Sequence, residues 1–182
     1  SHHSFHKIAL MTGLGREAVR TIPLKDGLRL DLRDLSHQIC DDRSRGFAPF
    51  FVVGTAGSTS TGIIDPLSEM EWFCGGNRLW FHVDAAWGGA AVLSPLLKDH
   101  LGGIEQADSI TCDAHKWLSV PMGAGMFFCR HPDAVRDTFR TPNPYMPESP
   151  VDDPYATTVQ WSRRFIGLKL FMTLAHDGEK GV

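Results

Sequence analysis

Apolar positions follow two periods along this chain. Short apolar runs, such as Phe50-Phe51-Val52-Val53 and Leu79 to Val83, alternate with stretches where apolar residues recur every three or four positions. The first pattern predicts strands covered on both faces, and the second predicts amphipathic helices. Helices are expected from Ser4 to Leu14, closed by Gly13 and Gly15, and after Asp31, with Leu32, Leu35 and Ile39 on one face. Asp31 reads as an N-cap, and Arg45-Gly46 as the stop. A further helix should begin at Asp65-Pro66, and the last should run from Trp161 to Ala175, with Phe165, Leu168, Phe171, Met172 and Ala175 as its buried stripe. Strands are expected at Ala18–Leu24, Pro49–Thr55, Leu79–Val83, Ser109–Cys112 and Gly125–Cys129. The four prolines between Arg140 and Asp153 predict an exposed loop. Strands that alternate with helices imply an α/β fold with a mostly parallel sheet and flanking helices. In such sheets ligands gather at the carboxyl ends of strands, where Thr55, Asp84 and Asp113 fall.

Composition changes this picture little. At 182 residues the chain can bury a core of one domain. A net charge of −3 without a basic block argues against nucleic acid as a partner. No apolar run reaches the ~20 residues of a membrane helix. Cys40, Cys74, Cys112 and Cys129 form no C-x-x-C pair, which suits free thiols in a reducing compartment and a cytoplasmic location. His2, His3 and His6 do not have the spacing of a zinc face, so no metal is expected. The chain starts without methionine and stops just after a helical pattern, and is therefore expected to be part of a longer protein.

The chemistry concentrates in Asp113-Ala114-His115-Lys116-Trp117, downstream of His82-Val83-Asp84-Ala85-Ala86-Trp87-Gly88-Gly89. An amine, an adjacent imidazole and a carboxylate at the end of an apolar run are what pyridoxal phosphate (PLP) chemistry requires. Lys116 would form a Schiff base with the cofactor aldehyde from an apolar, partly desolvated position. Asp84 would keep the pyridine nitrogen protonated, since a carboxylate there needs a partner. Lys116 could otherwise be a surface lysine, and Asp84 a cap for the segment after Trp87. Ala85 and Ala86 leave room for a flat ring, and Gly88 and Gly89 allow close backbone approach. The run Thr55 to Gly62 reads as a phosphate cradle or a plain loop. Asp65 reads as structural, and Arg163 and Arg164 as salt-bridge residues or anion contacts.

With these residues the chain resembles the PLP-dependent group II amino-acid decarboxylases of the aromatic-amino-acid and glutamate decarboxylase type. Six motifs carry the resemblance, in order: His2 to Lys7, Val53 to Thr59, Gly62 to Leu67, His82 to Gly89, Asp113 to Trp117, and Ser162 to Phe165. The resemblance implies a fold type I large domain over residues 1–182, without the preceding segment or the small carboxyl-terminal domain. It implies Lys116 as the Schiff-base lysine, Asp84 as partner of the pyridine nitrogen, and His2 stacked on the ring. It places Thr55 near the cofactor, Ala86 against the ring, and His115 on the phosphate side. Tyr145 falls where the family has a mobile-loop tyrosine that helps protonate the α-carbon. It favours simple decarboxylation of an L-amino acid over the oxidative, aldehyde-forming outcome that accompanies phenylalanine there. Another PLP lyase or transferase outcome, or a non-catalytic binding module, are the alternatives. Relatives are usually homodimers, so dimerisation is expected. Trp87 in place of tyrosine, Ser58 and Ser60 in place of threonine and asparagine, and Asp113-Ala114 in place of asparagine-proline depart from the pattern.

Overall fold

A computed structural model describes residues 2–25, 27–141 and 153–178. The described residues form a four-stranded sheet in the order β1 (Phe51–Thr55), β2 (Trp80–Asp84), β3 (Ser109–Asp113), β4 (Gly125–Cys129). The first three strands are parallel, and β4 runs antiparallel to β3. Helices α1 (Ser4–Met11), α2 (Leu32–Ser44), α3 (Leu67–Asn77), α4 (Pro132–Phe139) and α5 (Ile166–Asp177) flank it. The α/β architecture with a mostly parallel sheet is thus as the alternating pattern predicts. Tyr145 and most of the proline-rich stretch lie outside the described residues.

Strand side chains alternate between faces, which divides the sheet by chemistry. One face carries Val52, Phe81 and Val83, which bury against Leu67, Met70 and Cys74 of α3 and Leu35 and Ile39 of α2. Space beside Gly54 is tight: a Cβ would sit 3.1 Å from Phe81 and 3.2 Å from both Leu67 and Met70. The other face carries Thr55, His82, Asp84, Ser109, Thr111 and Asp113, a polar set at strand register. Met70 is fully buried at the centre of the apolar layer. Met70→Ala is expected to cost ~2–5 kcal/mol, read as a lower urea midpoint at unchanged slope.

Local chemistry fixes the helix starts. Asp31 caps α2 by accepting from the Arg33 N–H at 2.9 Å, and Lys25 Nζ holds the same carboxylate at 2.8 Å. Asp65 lies just before α3, where Pro66 takes the cap position, and serves a wider role. Its two oxygens accept from the Leu30 N–H at 2.8 Å and the Thr55 N–H at 2.9 Å. This one buried carboxylate therefore ties the end of β1 to the approach to α2.

Two expectations need correction. Ala18–Leu24 is not a strand. A 3-10 turn occupies Arg16–Ala18, and only Leu24 makes a bridge, to Leu30. Pro23 has no N–H to donate, and the turn closed by Lys25 and Arg29 reverses the chain at once. The last helix begins at Ile166 rather than Trp161, and its buried side is not the predicted stripe. Ile166 and Leu170, one turn apart, pack on Ala114, Leu118, Val120 and Ala124, while Phe165, Leu168, Phe171 and Met172 are exposed. The α5 sequence carries apolar residues around most of its circumference, so periodicity alone could not say which side meets this cluster.

Cysteine behaviour follows from the same packing. Burial, with Asp108 and Glu71 adding to it, pushes the Cys74 thiol up to about 12. Cys40 is exposed. Alkylation of the native protein at about pH 8 should mark Cys40 and spare Cys74 until denaturant is added, as read by peptide mass.

Candidate active site

The strand ends and the turns after them build the site. Thr55 and Asp84 are register partners at the carboxyl ends of β1 and β2, and Asp84 pairs in turn with Thr111 of β3. The backbone then locks the connections together. Ala56 N–H donates to the Asp84 carbonyl at 2.9 Å, Ala85 N–H to Thr111 at 3.0 Å, and Asp113 N–H to Ala86 at 3.1 Å. The Asp84 side chain accepts from the Ala86 N–H at 3.3 Å through Oδ1. Thr55 Oγ1 is buried and has no hydrogen-bond partner, which leaves a hydroxyl free on the polar face beside Asp84.

Close backbone approach brings the loop after β1 onto the turn after β2. A Cβ at Gly88 would lie 2.5 Å from the Ala56 carbonyl oxygen, and one at Gly57 2.9 Å from the Gly88 Cα. Gly57 also has φ of 86°, open only to glycine at low cost. Trp87 lies against this loop and meets Trp117 edge-on, with ring centres 4.7 Å apart. Part of the loop's donor set closes on the loop itself. Gly57 and Ser58 N–H groups both donate to the Ile63 carbonyl, Gly62 N–H donates to Ser58, and the Ser58 and Thr61 hydroxyls bond each other at 2.6 Å.

Lys116 sits in the turn between β3 and β4, with its N–H on the Asp113 carbonyl at 3.1 Å. Its ammonium is not in an apolar niche, as the sequence suggested. Nζ lies 2.9 Å from Asp113 Oδ2, with the lysine side chain one-third exposed. The i, i+3 spacing across a tight turn makes this pair, and it was the signal in the sequence that could have found Asp113. His115 Nε2 lies 3.7 Å from the same oxygen, while Nδ1 accepts from the Ala124 N–H at 3.2 Å. An accepting Nδ1 leaves the proton on Nε2 in the neutral ring, so His115 presents a donor toward Asp113. Behind the turn, burial pushes the Cys112 thiol up, Asp113 adds to the shift, and Lys116 opposes it.

His2 stands just ahead of α1, exposed, its ring 4.0 Å from that of His3 and its Nδ1 accepting from the Ser4 N–H. Phe5 of α1 meets the His82 ring edge-on at 5.8 Å, so this helix lies over the polar face of the sheet. Thr55, Asp84, Ala86, His115 and Lys116 thus gather at the carboxyl ends of the strands and the turns after them, and His2 precedes α1, the helix above that face. His82 itself escaped the sequence reading, hidden in an apolar run. It is buried, and desolvation lowers its pKa against the opposing pull of Asp84.

Residues 1–182 match the pyridoxal-dependent decarboxylase conserved domain. The chain is 42% identical over 134 residues to aspartate 1-decarboxylase of Aliivibrio fischeri, covering 74% of this chain and 24% of that one. It is 32% identical over 178 residues to the aromatic-L-amino-acid decarboxylase of Bacillus atrophaeus, covering 95% and 37%. Among solved structures, mouse CSAD in apo form superposes with a TM-score of 0.93 at 32% identity, over 100% of this chain and 38% of that one. Oryza sativa TDC with PLP and tryptamine gives 0.93 at 29%, over the same shares. The chain therefore spans between a quarter and two fifths of the length of these relatives. A lysine turn and a strand-end carboxylate on one edge of a mostly parallel sheet, together with a match along its whole length, show that the chain belongs to the pyridoxal-dependent decarboxylase family.

Proposed function

We propose that the protein carrying this chain removes the α-carboxyl group of an L-amino acid as carbon dioxide and releases the amine. The observation that carries the reading is the placement of an amine, a carboxylate and an unpartnered buried hydroxyl along one sheet edge, in Lys116, Asp84 and Thr55. This donor set fits pyridoxal phosphate. The cofactor supplies an aldehyde and an electron-accepting pyridinium ring, which stabilise the electron pair left when carbon dioxide departs.

The chain's own residues would do the rest. Lys116 offers the amine that holds the cofactor, and Asp113 Oδ2 is the nearest acceptor for a proton leaving Nζ. Asp84 keeps a proton at the ring nitrogen, and its Oδ1 is oriented by the Ala86 N–H. Ala86 would present only a methyl group to the ring, Thr55 would contribute its free hydroxyl, and His115 would lie on the phosphate side. His2, just ahead of α1, would stack on the ring. Tyr145 would help supply the proton to the α-carbon. Residues 1–182 form part of a cofactor-binding large domain, and the active assembly is a homodimer in the cytoplasm. Among the described residues no helix is long and apolar enough to cross a membrane.

The test is product analysis with the intact protein, PLP and a panel of L-amino acids. The names of the relatives set the panel: aspartate, 2,4-diaminobutyrate and tyrosine come first. Carbon dioxide and amine in equal amounts are expected, without ammonia or peroxide. Ammonia with an aldehyde would move the chain to the oxidative outcome. Cofactor bound at Lys116 with no turnover of any amino acid would make it a binding module.

A further inference from the structure

Thr55 and Asp65 close a loop at the edge of the sheet. Thr55 ends β1, an edge strand among the described residues, and its register partner in β2 is Asp84. On the outer side Asp65 takes the place of a further strand. Its Oδ2 accepts from the Thr55 N–H at 2.9 Å, and its own N–H donates to the Thr55 carbonyl at 2.9 Å. Its Oδ1 accepts from the Leu30 N–H at 2.8 Å, so both carboxylate oxygens are engaged. Inside this closure Ala56 bridges Ile64, and the Gly57 and Ser58 N–H groups donate to Ile63. Thr55 is 7% exposed and Asp65 9%.

The hydroxyl is the one polar group of Thr55 that this closure leaves over. Its Oγ1 is buried and has no hydrogen-bond partner. Backbone N–H and C=O groups of a strand lie in the plane of the sheet, whereas side chains stand out of it. Asp65 therefore grips the Thr55 backbone from the edge and does not engage the hydroxyl. Threonine is stiff at χ1, and the rotamer open to it depends on φ and ψ. A backbone held at both its N–H and its carbonyl selects one direction for Oγ1. A buried hydroxyl without a partner destabilises the fold until a ligand bonds it.

We propose that Asp65 is a positioning residue for Thr55. By holding the Thr55 backbone at the open edge of β1, it fixes the rotamer that presents a free hydroxyl on the polar face, beside Asp84, for a hydrogen bond to the cofactor. The bond to the cofactor rests on the function proposed above. The hold of Asp65 on the Thr55 rotamer does not.

The experiment has two arms on the intact protein. The first is run without cofactor, and three-bond couplings to the Thr55 methyl carbon read χ1. One rotamer is expected in the wild type, and rotamer averaging in Asp65→Ala, which removes both acceptor oxygens. Averaging in the wild type, or one unchanged rotamer in Asp65→Ala, overturns the proposal. In the second arm, release of pyridoxal phosphate on dilution is timed for the wild type, Thr55→Val, Asp65→Ala and the double variant. Thr55→Val should weaken retention about tenfold, as expected for one lost hydrogen bond. Its cofactor-free melting temperature should not fall, since the hydroxyl has no partner to lose. Undiminished retention in Thr55→Val overturns the role of the hydroxyl. Asp65→Ala should weaken retention by a similar factor, and the double variant no further. A merely structural Asp65 would add its full loss to that of Thr55→Val, and this additive result overturns the proposal. If Asp65→Ala fails to fold, Asp65→Glu, which keeps both oxygens but displaces them by one methylene, carries both arms. If no cofactor binds to the wild type, the proposed function fails, and the first arm still decides the hold on Thr55.

Discussion

Lys116→Ala is expected to reduce amino-acid turnover at least about 10³-fold, or ~4 kcal/mol of transition-state stabilisation. It should also remove the visible band of the protein–cofactor adduct. Borohydride reduction followed by peptide mapping should place the fixed label on Lys116 in the wild type and nowhere in the variant. The structure suggests a control. Nζ pairs with Asp113 at 2.9 Å, so the alanine variant loses an ion pair as well as a nucleophile. With the side chain one-third exposed, that pair adds little stability. Lys116→Arg restores a cation for Asp113 but cannot attack an aldehyde. It should be as inactive as the alanine variant at wild-type thermal stability. Recovery of activity in Lys116→Arg would sink the nucleophile assignment.

The second large effect is expected at Asp84. Asp84→Asn keeps an Oδ1 acceptor for the Ala86 N–H, and so preserves the strand-end turn while removing the charge. Turnover should fall about 10²–10³-fold, the usual cost of removing one preorganised electrostatic group from a reacting centre. Stability should stay within about 1 kcal/mol, because the neutral amide still serves the turn. The measurement is kcat beside a thermal melt. A stability loss that matches the activity loss would reassign Asp84 to a capping role. Activity lost at constant stability is the expected result.

Much of this site is legible in one dimension because its chemistry is local. Lys116, His115 and Asp113 lie within one turn, and Asp84 to Gly89 is a single strand end. Their residue types and order therefore carry the signal without any tertiary contact. Residues that meet only across strands did not show. His82, Ser109 and Thr111 belong to two strands, and only the β2–β3 register brings them together. The loop at Ser58 to Thr61 stayed open between two readings for a related reason. Small polar residues suit both a ligand cradle and a self-closed turn, and the choice depends on where Ile63 folds back.

By itself, the sequence determined the alternation of strands and helices, the Asp31 cap, and the choice of Asp84 and Lys116 as candidate site residues. These depend on periodicity, capping and spacing, which are properties of neighbouring residues. The tertiary structure alone decided three further matters. It set which side of α5 is buried, since Ile166 and Leu170 meet the Ala114–Ala124 cluster while its other apolar residues remain exposed. It showed Lys116 as half of an ion pair rather than an apolar amine. It also gave Asp65 two backbone donors from segments far apart in the chain. In each case the deciding interaction joins groups whose proximity is created by strand register or helix docking, and no local pattern encodes that distance.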